Sequence, residues 1–195
     1  MPSTSTEIVN MALSRCGASP ITSIDDNNDK ARLARDYYEP TVQMLLRKHP
    51  WNFAITRKQL AASVEVPINE WAKQFPLPST PYCIRVLQLN EGVDDFLIEG
   101  RNLLTNATTA KLRYVGRVNE GEFDQVFIRC LVLELAAAMS YRLTLSEASR
   151  GAILQELNQI ALPDARNADA MEQREPLTDP SIESTWVSAR FNRLT

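Results

Sequence analysis

Histidine occurs once in this chain, as His49, and cysteine three times at distant positions, Cys16, Cys83 and Cys130. Any Ser-His-Asp or Cys-His catalytic set would therefore have to run through His49. Three scattered cysteines make neither a disulfide framework nor a close-spaced zinc site, so buried, reduced thiols are expected. A glycine-rich phosphate loop, HExxH, GxSxG and CxxC are all missing, which removes the strong motifs that carry a mechanism with them. Long apolar runs are missing too: the most apolar stretch, Cys130 to Met139, is short and contains Glu134, against the roughly 18 residues needed to cross a bilayer. It reads as a core helix, and no membrane partner is expected. There is no basic surplus, since 21 Lys and Arg face 24 Asp and Glu for a net charge of −3. A dedicated nucleic-acid binder would need a basic face to neutralise phosphates. The opening MPSTSTEIVN has neither a charged nor an apolar region of the secretory kind, so synthesis in the cytoplasm is expected.

What is present is an ordinary globular composition, 44% hydrophobic and 23% charged over 195 residues, enough for one domain with a real core. Thr4-Ser5-Thr6-Glu7 offers a capping box, Ile8, Met11, Ala12, Arg15 and Cys16 follow at helical spacing, and Gly17 supplies a left-handed stop. After the polar turn PITSIDDNND, Asn28 or Asp29 caps a second helix with Ala31, Ala34, Tyr37, Tyr38, Val42, Leu45 and Leu46 on its apolar face. Pro40 kinks or divides it, Pro50 ends it, and His49 before Pro50 is pushed to an extended conformation.

From residue 51 to 121 the pattern changes. Prolines cluster at positions 67, 76, 78 and 81. Short β-type runs cover Ala54 to Leu60, Ile84 to Leu89, Phe96 to Glu99, Leu103 to Thr105 and Lys111 to Val115, with turns at Glu91-Gly92 and Glu99-Gly100. Helical period returns at Glu122, where Phe123, Val126, Phe127, Cys130, Leu131, Leu135, Ala138 and Met139 recur at threes and fours. Another helix starts near Ser146, and Pro163 kinks or ends it. The expected fold is mainly α: a bundle of about four helices (1–50 and 122–175) with a small antiparallel β insertion (51–121), together one domain, and an extended C-terminal arm, 176–195.

Few residues suggest chemistry. His49, beside Pro50 and Trp51, reads better as a partly covered structural histidine than as a catalyst. His49, Pro50, Trp51 and Phe53 together form the expected joint between bundle and sheet, with large rings to bury. Asp25-Asp26, Asp94-Asp95 and Glu120-Gly121-Glu122 offer carboxylate pairs for general acid–base work, but adjacent acids in turns usually act as solvated caps. Arg47-Lys48 and Arg57-Lys58 are the densest basic pairs; they read as contacts to phosphate or an acidic partner, or more plainly as a helix C-terminus and a solvated strand face. In the tail, Ile182, Trp186, Arg190 and Phe191 are candidate partner-binding anchors, aromatic and arginine side chains being the usual interface residues. Docking of this segment on its own bundle is the alternative.

The order EIVNMALSRCGASPITSIDDNNDKARLARDYYEPTVQMLLRKHPWNFAITRKQLA resembles the head-to-tail adaptor family of tailed bacteriophages, which includes the tail tubular protein A. The positions that carry the resemblance are Gly17-Ala18, Ile21, Ser23, Asp25-Asp26, Tyr38, Pro40, Leu45-Leu46 and His49 through Ala54. It continues through PLPSTPYCIRVLQL, although Ser79-Thr80 stands where the family has an acidic residue, and through LRYVGRVNEGEFDQVFIRCLVLELAAAMSYRLT. The resemblance implies a non-enzymatic virion protein with no cofactor or metal. Such a protein assembles as a homo-oligomeric ring, expected to be dodecameric, beneath the portal protein at the head–tail interface. It extends the channel through which genomic DNA passes without sequence-specific binding, and presents a platform to a tail or nozzle protein, with the C-terminal arm reaching the portal. A phage-carried hydrolase of cell wall or nucleic acid, working through a carboxylate pair, is the main alternative, and a host cytoplasmic regulator a third.

Overall fold

The computed structural model describes residues 4–68 and 70–172. Helix α1 (Ser5–Arg15) opens on the capping box: the Thr4 hydroxyl accepts the Glu7 amide at 3.2 Å and the Glu7 carboxylate takes the Thr4 amide at 2.8 Å. The chain leaves the helix through Gly17 at φ +69°, a conformation without steric penalty only for glycine. Asn28 caps α2 (Asp29–Lys48) by accepting the Ala31 amide. Pro40 lies inside α2 without dividing it. Both Pro40 and Asp36, whose carbonyl loses its partner, are exposed, on the side of the helix where solvent can reach the freed group. His49 is extended, at φ −144° and ψ 144°, and ends the helix as its place before proline requires.

Helix α3 (Gln125–Thr144) is apolar on nearly all sides, with eleven buried residues, because the other helices surround it: α1, α2, α4 (Glu147–Glu156) and α5 (Leu162–Met171) all pack on it. Ser146 caps α4. Between α4 and α5 the chain stays helical through a π-helical segment, Leu157–Ala161, in which the Leu162 amide reaches the Leu157 carbonyl. The wider turn gives a physical account of Pro163, which stands near the start of α5. A regular helix would drive its ring into the carbonyl four residues back, and the π register relieves that clash.

The six strands form two antiparallel sheets of three. One has the order β1-β6-β3, from Ile55–Leu60, Ala110–Gly116 and Cys83–Leu89, and the other β2-β5-β4, from Lys73–Pro76, Asn102–Thr105 and Leu97–Glu99. Strand β6 separates two cores by simple alternation. Ala110, Leu112 and Tyr114 face a cluster with Phe75, Leu89 and Leu103 between the sheets, while Val115 faces the helices. Strand β3 does the same with Cys83 on the sheet side and Ile84 on the helix side.

The expectation of a mainly α fold with a small β insertion is corrected here. The described residues are 51% helical and 20% strand, a mixed α and β fold. The strand β2 was hidden by its composition, since KQFP ends in a proline and lies in a proline-rich stretch. Phe75 is nevertheless buried at 1% exposure and pairs with Leu103. With β2 present, the strands close a second hydrophobic core of their own instead of decorating a bundle. The segment 176–195 lies outside the described residues, so the expected arm does too.

Burial pushes the Cys83 and Cys130 thiols up to about 11, against the lowering effect of Arg101 on the first and Arg129 on the second. Iodoacetamide at pH 8 is accordingly expected to modify both on the order of a hundredfold more slowly in the native protein than in guanidinium. Mass spectrometry of the modified sites reads this out, and equal rates would show that these side chains are not packed as described.

Candidate functional site

The turn after α2 brings the predicted joint together. His49 and Pro50 lead into a 3-10 turn, Asn52–Ala54, which delivers the chain to β1. Trp51 is 1% exposed, and its indole N–H donates to the Leu45 carbonyl at 3.1 Å, so the ring is buried without stranding its donor. Its ring meets Phe127 of α3 edge-on at 5.2 Å, and Phe53 meets Phe127 at 5.0 Å and Phe123 at 5.9 Å. The aromatic ring of His49 stands edge-on to Trp51 at 4.7 Å.

One residue that sequence reasoning passed over locks this turn. Asp169 of α5 is a buried carboxylate at 7% exposure. Its Oδ1 accepts the Asn52 amide at 2.8 Å, its Oδ2 lies 3.0 Å from His49 Nε2, and its backbone carbonyl accepts the Asn52 side-chain amide at 2.6 Å. Among the described residues, the His49 ring is hydrogen-bonded to this carboxylate and to no hydroxyl or thiol. The four joint residues His49, Pro50, Trp51 and Phe53 thus lie together, and their polar groups are spent on holding three segments, α2, the turn and α5, against α3.

A second polar cluster ties the end of β6 to α2. Arg117 donates to Glu39 through Nε and Nη2 at 3.0 Å each, and to Glu120 through Nη2 at 2.7 Å, while the Tyr38 hydroxyl donates to Glu120 at 3.3 Å. The guanidinium also lies over the Phe123 ring at 5.5 Å. Burial raises the Tyr38 phenol well above its ordinary value, helped by the negative charge of Glu120. For Glu120, burial alone would raise the carboxyl, but the hydrogen bond and charge of Arg117 outweigh it and hold it below the usual range.

The other predicted positions are dispersed. The Asp26 carboxylate accepts the Thr22 and Ser23 amides and closes its own turn, and that of Asp94 accepts from Asn90. Glu120 and Glu122 belong to a 3-10 turn. Of the basic pairs, Arg47 donates to the Ile84 carbonyl and Lys58 to that of Thr80, while Lys48 pairs loosely with Glu134 at 3.5 Å. Ile182, Trp186, Arg190 and Phe191 fall outside the described residues. Among the described residues, no group of three or more His, Cys, Asp and Glu side chains could hold a metal ion. No helix among them is long and apolar enough to cross a membrane.

Asp169 carries no sequence signal, being one acid in ARNADAM with partners more than a hundred residues away. Arg117 gave slightly more, since it lies in the YVGRV segment of the resemblance. No protein-family model matches this chain, and no curated protein matches it.

Truncating Trp51 to alanine should cost about 3–5 kcal/mol in urea unfolding through cavity formation and lost transfer energy; an unchanged midpoint would contradict the packing described. The Glu120 interaction carries a pH signature. Because its folded value is depressed, its contribution is present above the unfolded value of about 4.3 and is lost as pH falls through the folded one. The stability gap between wild type and Glu120→Gln should therefore be largest near neutral pH and close on acidification below about pH 4. A gap that widened there would refute the assignment.

Proposed function

We propose that this chain is a structural subunit of a phage head-to-tail connector, assembling as a ring on the portal and offering a platform to the tail. The observation that carries the proposal is the coincidence of motif and structural role. The most specific part of the resemblance, His49 through Ala54, is the turn that buries Trp51, meets α5 through Asp169 and launches β1. A subunit that bears load between a capsid and a tail needs its helical and sheet parts held as one body, and this turn supplies that.

The surface offers contact area suited to assembly. The loop between β1 and β2 exposes Val64, Val66 and Ile68 to solvent, and aliphatic side chains exposed along one loop offer apolar area for a neighbour to cover. Weak contacts of that sort become collectively tight when a symmetric portal aligns many copies, since ring closure makes every later contact intramolecular. The segment from Pro176, with Ile182, Trp186, Arg190 and Phe191, is proposed to reach the portal, and DNA is proposed to pass through the lumen without sequence-specific binding.

Negative-stain electron microscopy of the purified chain, alone and mixed with the portal of the same phage, tests the reading. Rings are expected on the portal and not without it. A chain ending at Glu175 should keep its helical circular dichroism and lose portal binding. Full binding by the truncated chain would remove the arm from the account, and no portal-bound ring with the full chain would remove the connector assignment.

A further inference from the structure

A groove of about 490 Å³ opens between α2 and the two sheets, within the range of roughly 300–1,000 Å³ typical of ligand clefts. Three arginines line it: Arg47 from the last turn of α2, Arg85 from β3 and Arg101 from the turn between β4 and β5. No carboxylate lines it, and none of the three forms an ion pair with another described residue. In a chain of net charge −3, this is a local concentration of uncompensated positive charge.

The guanidinium groups are also held in place before any ligand arrives. Arg47 Nη1 donates to the Ile84 carbonyl at 2.7 Å. Arg101 donates to the Cys83 and Pro78 carbonyls at 2.8 Å each, and lies 4.1 Å from the centroid of the Tyr82 ring. Arg85 makes one longer bond, 3.3 Å, to the Arg47 carbonyl. These are neutral acceptors, so the charge remains, and most of the N–H donors of each planar group stay uncommitted. Fixing the donors in advance lowers the ordering cost of binding an anion.

The remaining wall is carbon-rich and reachable: Tyr82, Met44 and Ile98 are 43%, 40% and 37% exposed. Both strands at the groove, β3 and β4, are sheet edges, as an extended segment lying along them would require. We propose that this groove docks an extended acidic segment of a partner protein. Its carboxylates meet Arg47, Arg85 and Arg101, and an apolar side chain between them lies against Tyr82 and Ile98. Charge complementarity selects the anion, because arginine pairs with carboxylate in a two-pronged geometry. The aliphatic Met44 and Ile98 side chains in the wall favour an apolar peptide side chain over a nucleotide base, which would have only Tyr82 to stack on. The proposal stands on the groove alone and does not depend on the connector reading.

Fluorescence anisotropy with the full chain tests it, using a labelled peptide in which glutamates and leucines alternate, a control with glutamine in place of glutamate, and a labelled oligothymidylate. The glutamate peptide is expected to bind at least about tenfold more tightly than the control, with affinity falling as salt rises. Arg85→Glu, whose side chain makes only one long bond, should keep the wild-type melting temperature and lose about tenfold or more in affinity. Ile98→Asp should weaken the same peptide. The pair Arg57→Gln and Arg113→Gln, on β1 and β6 and outside the groove lining, should leave it unchanged. Equal binding of both peptides, binding that survives both Arg85→Glu and Arg85→Gln, or stronger binding of the oligothymidylate lost with Arg85→Glu would overturn the proposal, the last in favour of a phosphate site.

Discussion

The clasp of Asp169 on the turn His49–Ala54 is the constraint on which the rest of the structure depends. Proline at position 50 stops α2 and leaves the chain to turn through a largely covered stretch, where backbone groups shielded from water need partners. The Asn52 amide finds its partner in the Asp169 carboxylate, and the Trp51 indole finds one in the Leu45 carbonyl. A buried carboxylate is costly unless its oxygens are satisfied. Here one oxygen takes the Asn52 amide and the other faces His49, so the burial of the acid and the burial of the turn satisfy each other.

From this turn the two cores are assembled. Trp51 and Phe53 insert against Phe123 and Phe127, which fixes the start of α3 relative to the end of α2. Strand β1 leaves the turn already registered, with Ile55 opposite Val115, and β6 carries that register to both sides of the sheet. Arg117, just past β6, returns to Glu39 on α2 and closes the loop of contacts on the far side. These two polar clusters, together with the Arg47 and Arg85 bonds between α2 and β3, thus hold helices and sheets as one unit. Apolar packing supplies most of the energy, and the hydrogen-bonded groups select one arrangement of it.

What could be read from the sequence was local. The capping box at Thr4, the cap at Asn28, the stop at Pro50 and the cap at Ser146 each involve residues within a few positions, where rules of spacing apply directly. The apolar periodicity of α3 was equally visible, although its burial on all sides follows from four neighbours and not from its own pattern. The strand at Lys73–Pro76 was not legible, because its evidence is the partner Leu103 and not its composition. Asp169 was not legible for the same reason, and neither was the groove, whose arginines come from α2, β3 and the turn after β4. The proline and the rings at positions 49–53 stand out in the sequence because proline followed by large rings is unusual in a helix. Their locking partner was missed because a lone acid is not.

Native-state hydrogen exchange followed by nuclear magnetic resonance tests the central claim, that the joint makes helices and sheets one cooperative unit. The amides of Leu131 in α3 and Tyr114 in β6 should exchange through the same opening in the wild type, with equal free energies. Asp169→Asn, which keeps the size of the side chain and removes its charge, should lower both by the same amount. Unequal free energies in the wild type, or a loss confined to α3 with β6 protection unchanged, would contradict the account and make the sheets an independent folding unit.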